Sequence, residues 1–155
     1  MFELLRSFLR PLRPTGPQES IVIFTTADHV TTQDGVSREG GVWRIDAKAG
    51  RTVRLFEIAG REIELAMLTY AAQLRTQDAR GGVYLEMWCR VAGRGEFFSR
   101  DIAHKVTGAN DWASYETLFH LRRGHVVDLI KLNVVLEGPG TIWVRDVQLF
   151  RTPLG

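Results

Sequence analysis

From residue 20 onward the chain is built of short runs that alternate apolar with polar residues, each closed by turn-forming residues. In a β-strand successive side chains point to opposite faces, so each such run offers one face to a core and one to solvent. The clearest run is Val83-Tyr84-Leu85-Glu86-Met87-Trp88-Cys89-Arg90-Val91. Val83, Leu85, Met87, Cys89 and Val91 fall on one side, and Tyr84, Glu86, Trp88 and Arg90 on the other. Further strands are expected at 20–26, 42–46, 52–58, 68–75, 96–99, 112–121, 128–137 and 141–150, with loops at 77–82 and 101–111. No body segment has a convincing helical period, and only residues 61–67 admit a short turn. Strands at this spacing, with turns about every 8–12 residues, predict an antiparallel sandwich or barrel.

The second half carries an ordered set of motifs. A Tyr-bearing strand, Leu68-Thr69-Tyr70-Ala71-Ala72-Gln73-Leu74-Arg75, is followed by Gly81-Gly82-Val83-Tyr84-Leu85. Then come Asn110-Asp111-Trp112-Ala113-Ser114-Tyr115-Glu116 and Leu129-Ile130-Lys131-Leu132-Asn133-Val134. The closing strand reads Gly140-Thr141-Ile142-Trp143-Val144-Arg145-Asp146-Val147-Gln148-Leu149. This order resembles the galactose-binding-like jelly rolls, a superfamily that includes many carbohydrate-binding modules. Residues 66–150 carry the resemblance well and 20–65 weakly. It implies an all-β fold, an antiparallel jelly-roll β-sandwich of about nine strands. It also implies packing roles for Trp112, Ile142, Val144, Val147 and Leu149. Many members hold a structural calcium with an aspartate of a paired Asp-Asp on the last strand. Here the pair is Arg145-Asp146, so only Asp146 matches. Arg145 disfavours the ion, because calcium gathers carboxylate-rich oxygen sets. No other cofactor is expected.

The search for catalytic chemistry finds no set of residues with assignable roles. His29, His104, His120 and His125 form no spaced metal pair, and there is neither a nucleophile elbow nor a phosphate loop. The close carboxylates Glu62 and Glu64 read as a solvated face, since glycoside cleavage needs two carboxyls at a defined separation in a groove. The single cysteine, Cys89, reads as a small buried hydrophobe and rules out an internal disulfide. The expectation is therefore a non-catalytic recognition module.

The outward set Tyr84, Glu86, Trp88 and Arg90 is the best candidate surface. An aromatic ring flanked by a carboxylate and a guanidinium can stack on a sugar and bond its hydroxyls. Lys131 and Asn133, opposite in phase to Ile130, Leu132 and Val134, join it from a neighbouring strand, and Gln73 and Arg75 extend it. A second reading stands beside this one: Trp88 is covered by a loop or the N-terminal segment, and Glu86 and Arg90 pair across strands. Trp43, Trp112 and Trp143 are expected in the core.

Net charge separates the start of the chain from its body. The formal charge is +2, and residues 1–13 account for it, with Arg6, Arg10 and Arg13 against Glu3. The neutral remainder lacks the basic stripe of a nucleic-acid binder. On a helix over residues 2–10, Phe2, Leu5 and Leu9 share one side with Leu4 and Phe8, while Arg6 and Arg10 share the other. This amphipathic arm, with Arg13 beyond it, has three partners open to it: a membrane surface, a protein partner or its own domain. Tethering by the arm is the alternative function. Pro11, Pro14 and Pro17 mark a stiff linker, which divides the chain into an arm and linker, 1–19, and a sandwich, 20–155. No run approaches the ~20 apolar residues of a membrane span, and no signal peptide is recognisable, so a cytoplasmic location is expected.

Overall fold

The computed structural model describes residues 11–155. The helix expected over 2–10, with Phe2, Leu5, Arg6, Leu9 and Arg10, lies outside them. The described residues form nine strands: β1 (Glu19–Phe24), β2 (Val36–Glu39), β3 (Val42–Ala47), β4 (Arg51–Ile63), β5 (Ala66–Val91), β6 (Gly95–Arg100), β7 (Val106–Leu121), β8 (Val127–Leu136) and β9 (Gly140–Pro153). A single 3-10 turn, Ile102–His104, joins β6 to β7.

All pairings are antiparallel, and β5 organises them. Its first part, residues 66–77, lies between β9 and β7, and its second part, residues 83–91, lies between β8 and β6. This gives two sheets that share one strand. The first runs β3-β9-β5-β7, with β2 beyond β3 and β1 alongside the far end of β9. The second runs β4-β8-β5-β6. The chain is thus a jelly-roll β-sandwich.

Alternation explains the core. Leu68, Tyr70, Ala72 and Leu74 from the first sheet and Val83, Leu85, Met87 and Cys89 from the second are buried in one cluster. Ile142, Val144, Val147 and Leu149 join it, as expected of the closing strand. Trp43 is fully buried and meets the edge of Phe56 at 5.5 Å, and Phe56 stacks on Phe24 at 3.7 Å. The Tyr70 hydroxyl crosses the sandwich and donates to the Asn133 carbonyl at 3.2 Å. Burial raises the pKa of its phenol. Burial also pushes the Cys89 thiol up to about 12, so Cys89 is an inert core side chain.

Four details differ from the sequence expectation. The loop expected at 77–82 is the crossing point of β5, where Asp78 and Gly81 take φ values of 52° and 80°. The loop expected at 101–111 is already strand from Val106. Residues 61–67 hold no helical turn; they are the tight corner between β4 and β5, with Glu62 and Leu65 at positive φ. Finally, Asp34-Gly35 and Gly40-Gly41 bracket a strand, β2, that the alternation did not show. Near the start, Arg13 and Gly155 exchange backbone bonds of 3.2 and 2.9 Å, and the Thr15 amide donates to the Pro153 carbonyl at 2.9 Å. Residues 13–15 of the proline-rich segment therefore lie against the end of the chain.

Candidate functional site

Residues directly opposite across paired strands point to the same side. On the outer side of the second sheet, Glu86 stands opposite Asn133 of β8 and Arg100 of β6. Trp88 stands opposite Lys131 and Phe98. β4 adds Arg54, opposite Asn133, and Glu57, opposite Lys131.

Glu86 is the centre. It is only 4% exposed, although it lies on the outer face, because its neighbours close over it. Its carboxylate accepts from Trp88 Nε1 at 2.8 Å, from Asn133 Nδ2 at 2.9 Å and from Arg100 Nε at 2.5 Å. Burial alone would raise its pKa. The bonds from Asn133, Arg100 and Trp88, with the Arg100 charge, outweigh that and hold the carboxyl below its usual range. Arg54 Nε donates to Asn133 Oδ1 at 3.4 Å, which fixes the orientation of the amide.

This network sets the attitude of Trp88. Its indole N–H is tied to Glu86, and its ring meets Phe98 at 5.1 Å between centroids. The ring is half-buried, and Phe98 is 49% exposed, with the Arg100 guanidinium 3.9 Å from its centroid. The result is a fixed aromatic surface beside guanidinium and amide groups. Lys131 flanks it and donates to Glu96 at 2.9 Å. Arg90 lies at one end, exposed and paired with Asp128 at 2.7 Å. Tyr84 lies at the other end, where Lys105 sits 5.5 Å from its ring centroid.

The structure thus brings Glu86, Trp88 and Asn133 into direct contact, with Lys131 beside them and Tyr84 and Arg90 at the ends. Phe98, Arg100 and Arg54 belong to the same surface and were missed. Phe98 and Arg100 alternate with Phe97 and Ser99 in the sequence, and that phase was the available signal.

Gln73 and Arg75 are not part of it. They lie on the outer face of the first sheet, because β5 changes sheet between them and Tyr84. There the Arg75 guanidinium lies 4.9 Å from the Trp143 ring centroid, and Arg145 lies 4.0 Å from that of Trp112. These contacts correct the core assignment of Trp112; Trp143 is buried, as expected, but beneath the arginines of the outer face. Both tryptophans stand on the outer face under arginines, and Trp112 is half-buried. Arg145 donates to Gln73 Oε1 at 2.7 Å and lies 3.8 Å from the exposed Asp146 carboxylate.

No protein-family model and no curated protein matches the chain. Solved structures do. The fold is similar to a family 16 carbohydrate-binding module, at 8% identity and a TM-score of 0.50 over 76% of this chain and 82% of that one. It is similar to a family 29 module solved with mannohexaose, at 12% identity and a TM-score of 0.54 over 89% and 94% of the two chains. A family 4 carbohydrate-binding module gives 12% identity and 0.54 over 84% and 78%. The chain has the jelly-roll fold of carbohydrate-binding modules.

Proposed function

We propose that this protein is a non-catalytic recognition module that binds a carbohydrate, or a small polar ligand of the same character, on the outer face of the β4-β8-β5-β6 sheet. One observation carries the reading: the half-buried Trp88 ring is locked in place by the bond from its N–H to the buried Glu86. A sugar presents apolar C–H patches and a rim of hydroxyls. The Trp88 and Phe98 rings, tilted 51° to each other, offer apolar ring faces for the first, and Arg54, Arg100 and Lys131 offer donors for the second. Because the platform is ordered before binding, little side-chain entropy is lost when a ligand docks. The fold similarity to carbohydrate-binding modules supports the same reading.

The carboxylates on this face support recognition over cleavage. Glu86 is bonded to three donors, Glu57 to Arg54 and Glu96 to Lys131. A glycosidase instead needs one carboxyl held protonated as an acid.

A glycan array followed by calorimetric titration tests the proposal, with mannohexaose as the first soluble probe. We expect saturable binding to at least one glycan and a loss of about tenfold in affinity for Trp88→Ala, the scale of one aromatic contact. Absence of any glycan ligand, or binding untouched by the substitution, overturns it.

A further inference from the structure

The two sheets share β5, and their free edges, β6 and β7, run along the same side of the sandwich. Register shows what each edge turns inward. Phe97 stands opposite Cys89 and Phe119 opposite Leu68, both core residues, so both rings face between the sheets. Ser99 stands opposite Met87 and Thr117 opposite Tyr70, so these also face inward, and their hydroxyls bond to each other at 2.5 Å. The seam is therefore latched at Ser99–Thr117 and open beyond it.

The opening is a cavity of about 660 Å³. Its apolar lining is Val91, Phe97, Phe98 and Phe119. Phe97 is 46% exposed, an unusual state for a ring on the core-facing side of a strand. The polar lining is Arg94, His120, Arg122 and His125, contributed by the β5–β6 turn, the end of β7 and the β7–β8 turn. No acidic side chain lines it. Among the described residues neither Arg94 nor Arg122 takes part in an ion pair.

An apolar floor with a wholly basic rim is complementary to one kind of molecule: an alkyl chain that ends in an anion. We infer that the open seam between β6 and β7 is a second binding site, which takes a single-chain carboxylate of the fatty-acid type. The chain lies against Phe97 and Phe119, and the carboxylate meets Arg94 and Arg122. Such a ligand covers the exposed Phe97 ring and neutralises two unpaired guanidiniums at once. The site meets the proposed sugar surface at Phe98, which lines both, but the centre of that surface, Glu86 and Trp88, lies on the other side of β5 from Val91 and Cys89.

Calorimetric titration of the full chain with laurate, dodecyl maltoside and dodecyltrimethylammonium, each below its micellar concentration, separates chain from charge. Laurate is expected to bind as one equivalent, with the neutral amphiphile weaker and the cation weakest. Arg94→Gln and Arg122→Gln, on exposed turns, should each weaken laurate about fivefold and leave dodecyl maltoside unchanged. Arg54→Ala, on β4 at the far side of the sugar surface and outside the seam lining, should weaken sugar and leave laurate binding unchanged, so failure of the sugar proposal is distinguishable from failure of this one. Amide shifts in wild type should cluster at Phe97, Phe119 and His125. Equal binding of laurate and dodecyl maltoside, or arginine variants that bind laurate like wild type, overturns the anionic assignment. A dimer that laurate fails to dissociate makes a second copy the occupant and overturns it as well.

Discussion

Glu86 shows how one side chain can organise a surface without touching solvent. Its charge is stabilised by three donors, so its pKa in the folded state lies below that of the unfolded chain. The contribution to stability is present above the unfolded value and is lost as pH falls through the folded one. Glu86→Gln should therefore flatten the acid limb of a stability–pH curve, measured by urea denaturation, and lower stability near neutrality by about 2 kcal/mol, the scale of a charged hydrogen bond. A curve parallel to wild type would remove Glu86 as its cause. Cys89 makes the opposite prediction: with its thiol buried and its pKa raised, it should react with a thiol reagent only as fast as the protein unfolds.

At this scale the sequence was legible where alternation alone decides. The phase of β5 put Tyr84, Glu86, Trp88 and Arg90 outward, and that is where they are. Trp112 was misplaced, although it shares its phase with Ser114 and Glu116 and not with Tyr115 and Thr117. Size and the family motif argued for the core, whereas the local pattern argued for the outer face, and Arg145 covers the ring there.

Among the elements, β5 is the one that turns two sheets into a sandwich. Its crossing looked like a loop because Asp78, Gly81 and Gly82 are turn residues, and composition cannot tell a loop from a kinked strand that keeps its partners. The crossing also defeated the placement of Gln73 and Arg75: both outer faces are outward, but they are on opposite sides of the molecule. Gly81 has a φ of 80°, and a Cβ there would lie 3.1 Å from the Glu137 Cβ. Gly81→Ala should cost about 1–2 kcal/mol, a fall in Tm of about 3–6 °C. Gly93→Ala, in an open turn at a similar φ, gives the comparison without the steric contact. Equal losses would assign the whole cost to backbone conformation.

For the whole molecule, the neutral charge of the body governs how it binds. Attraction between net charges contributes little, and the ion pairs around Trp88 are local. Sugar affinity should change less than about twofold between about 50 and 500 mM salt, in titrations of the full chain, whereas laurate at the basic seam should weaken. A steep salt dependence of sugar binding would move that site away from the aromatic surface. Because β5 belongs to both sheets, neither sheet can open alone. Unfolding should therefore be a single transition, the same by tryptophan fluorescence and by circular dichroism.

The backbone rung between residues 13–15 and 153–155 closes the described chain almost into a ring. A few residues of linker would join Arg13 to Gly155 without moving any strand, and new ends could be cut at the open Gly93-Arg94-Gly95 turn. The sandwich is thus a natural candidate for circular permutation. By the same geometry residues 13 and 155 can be joined to a surface loop of another protein at a single point.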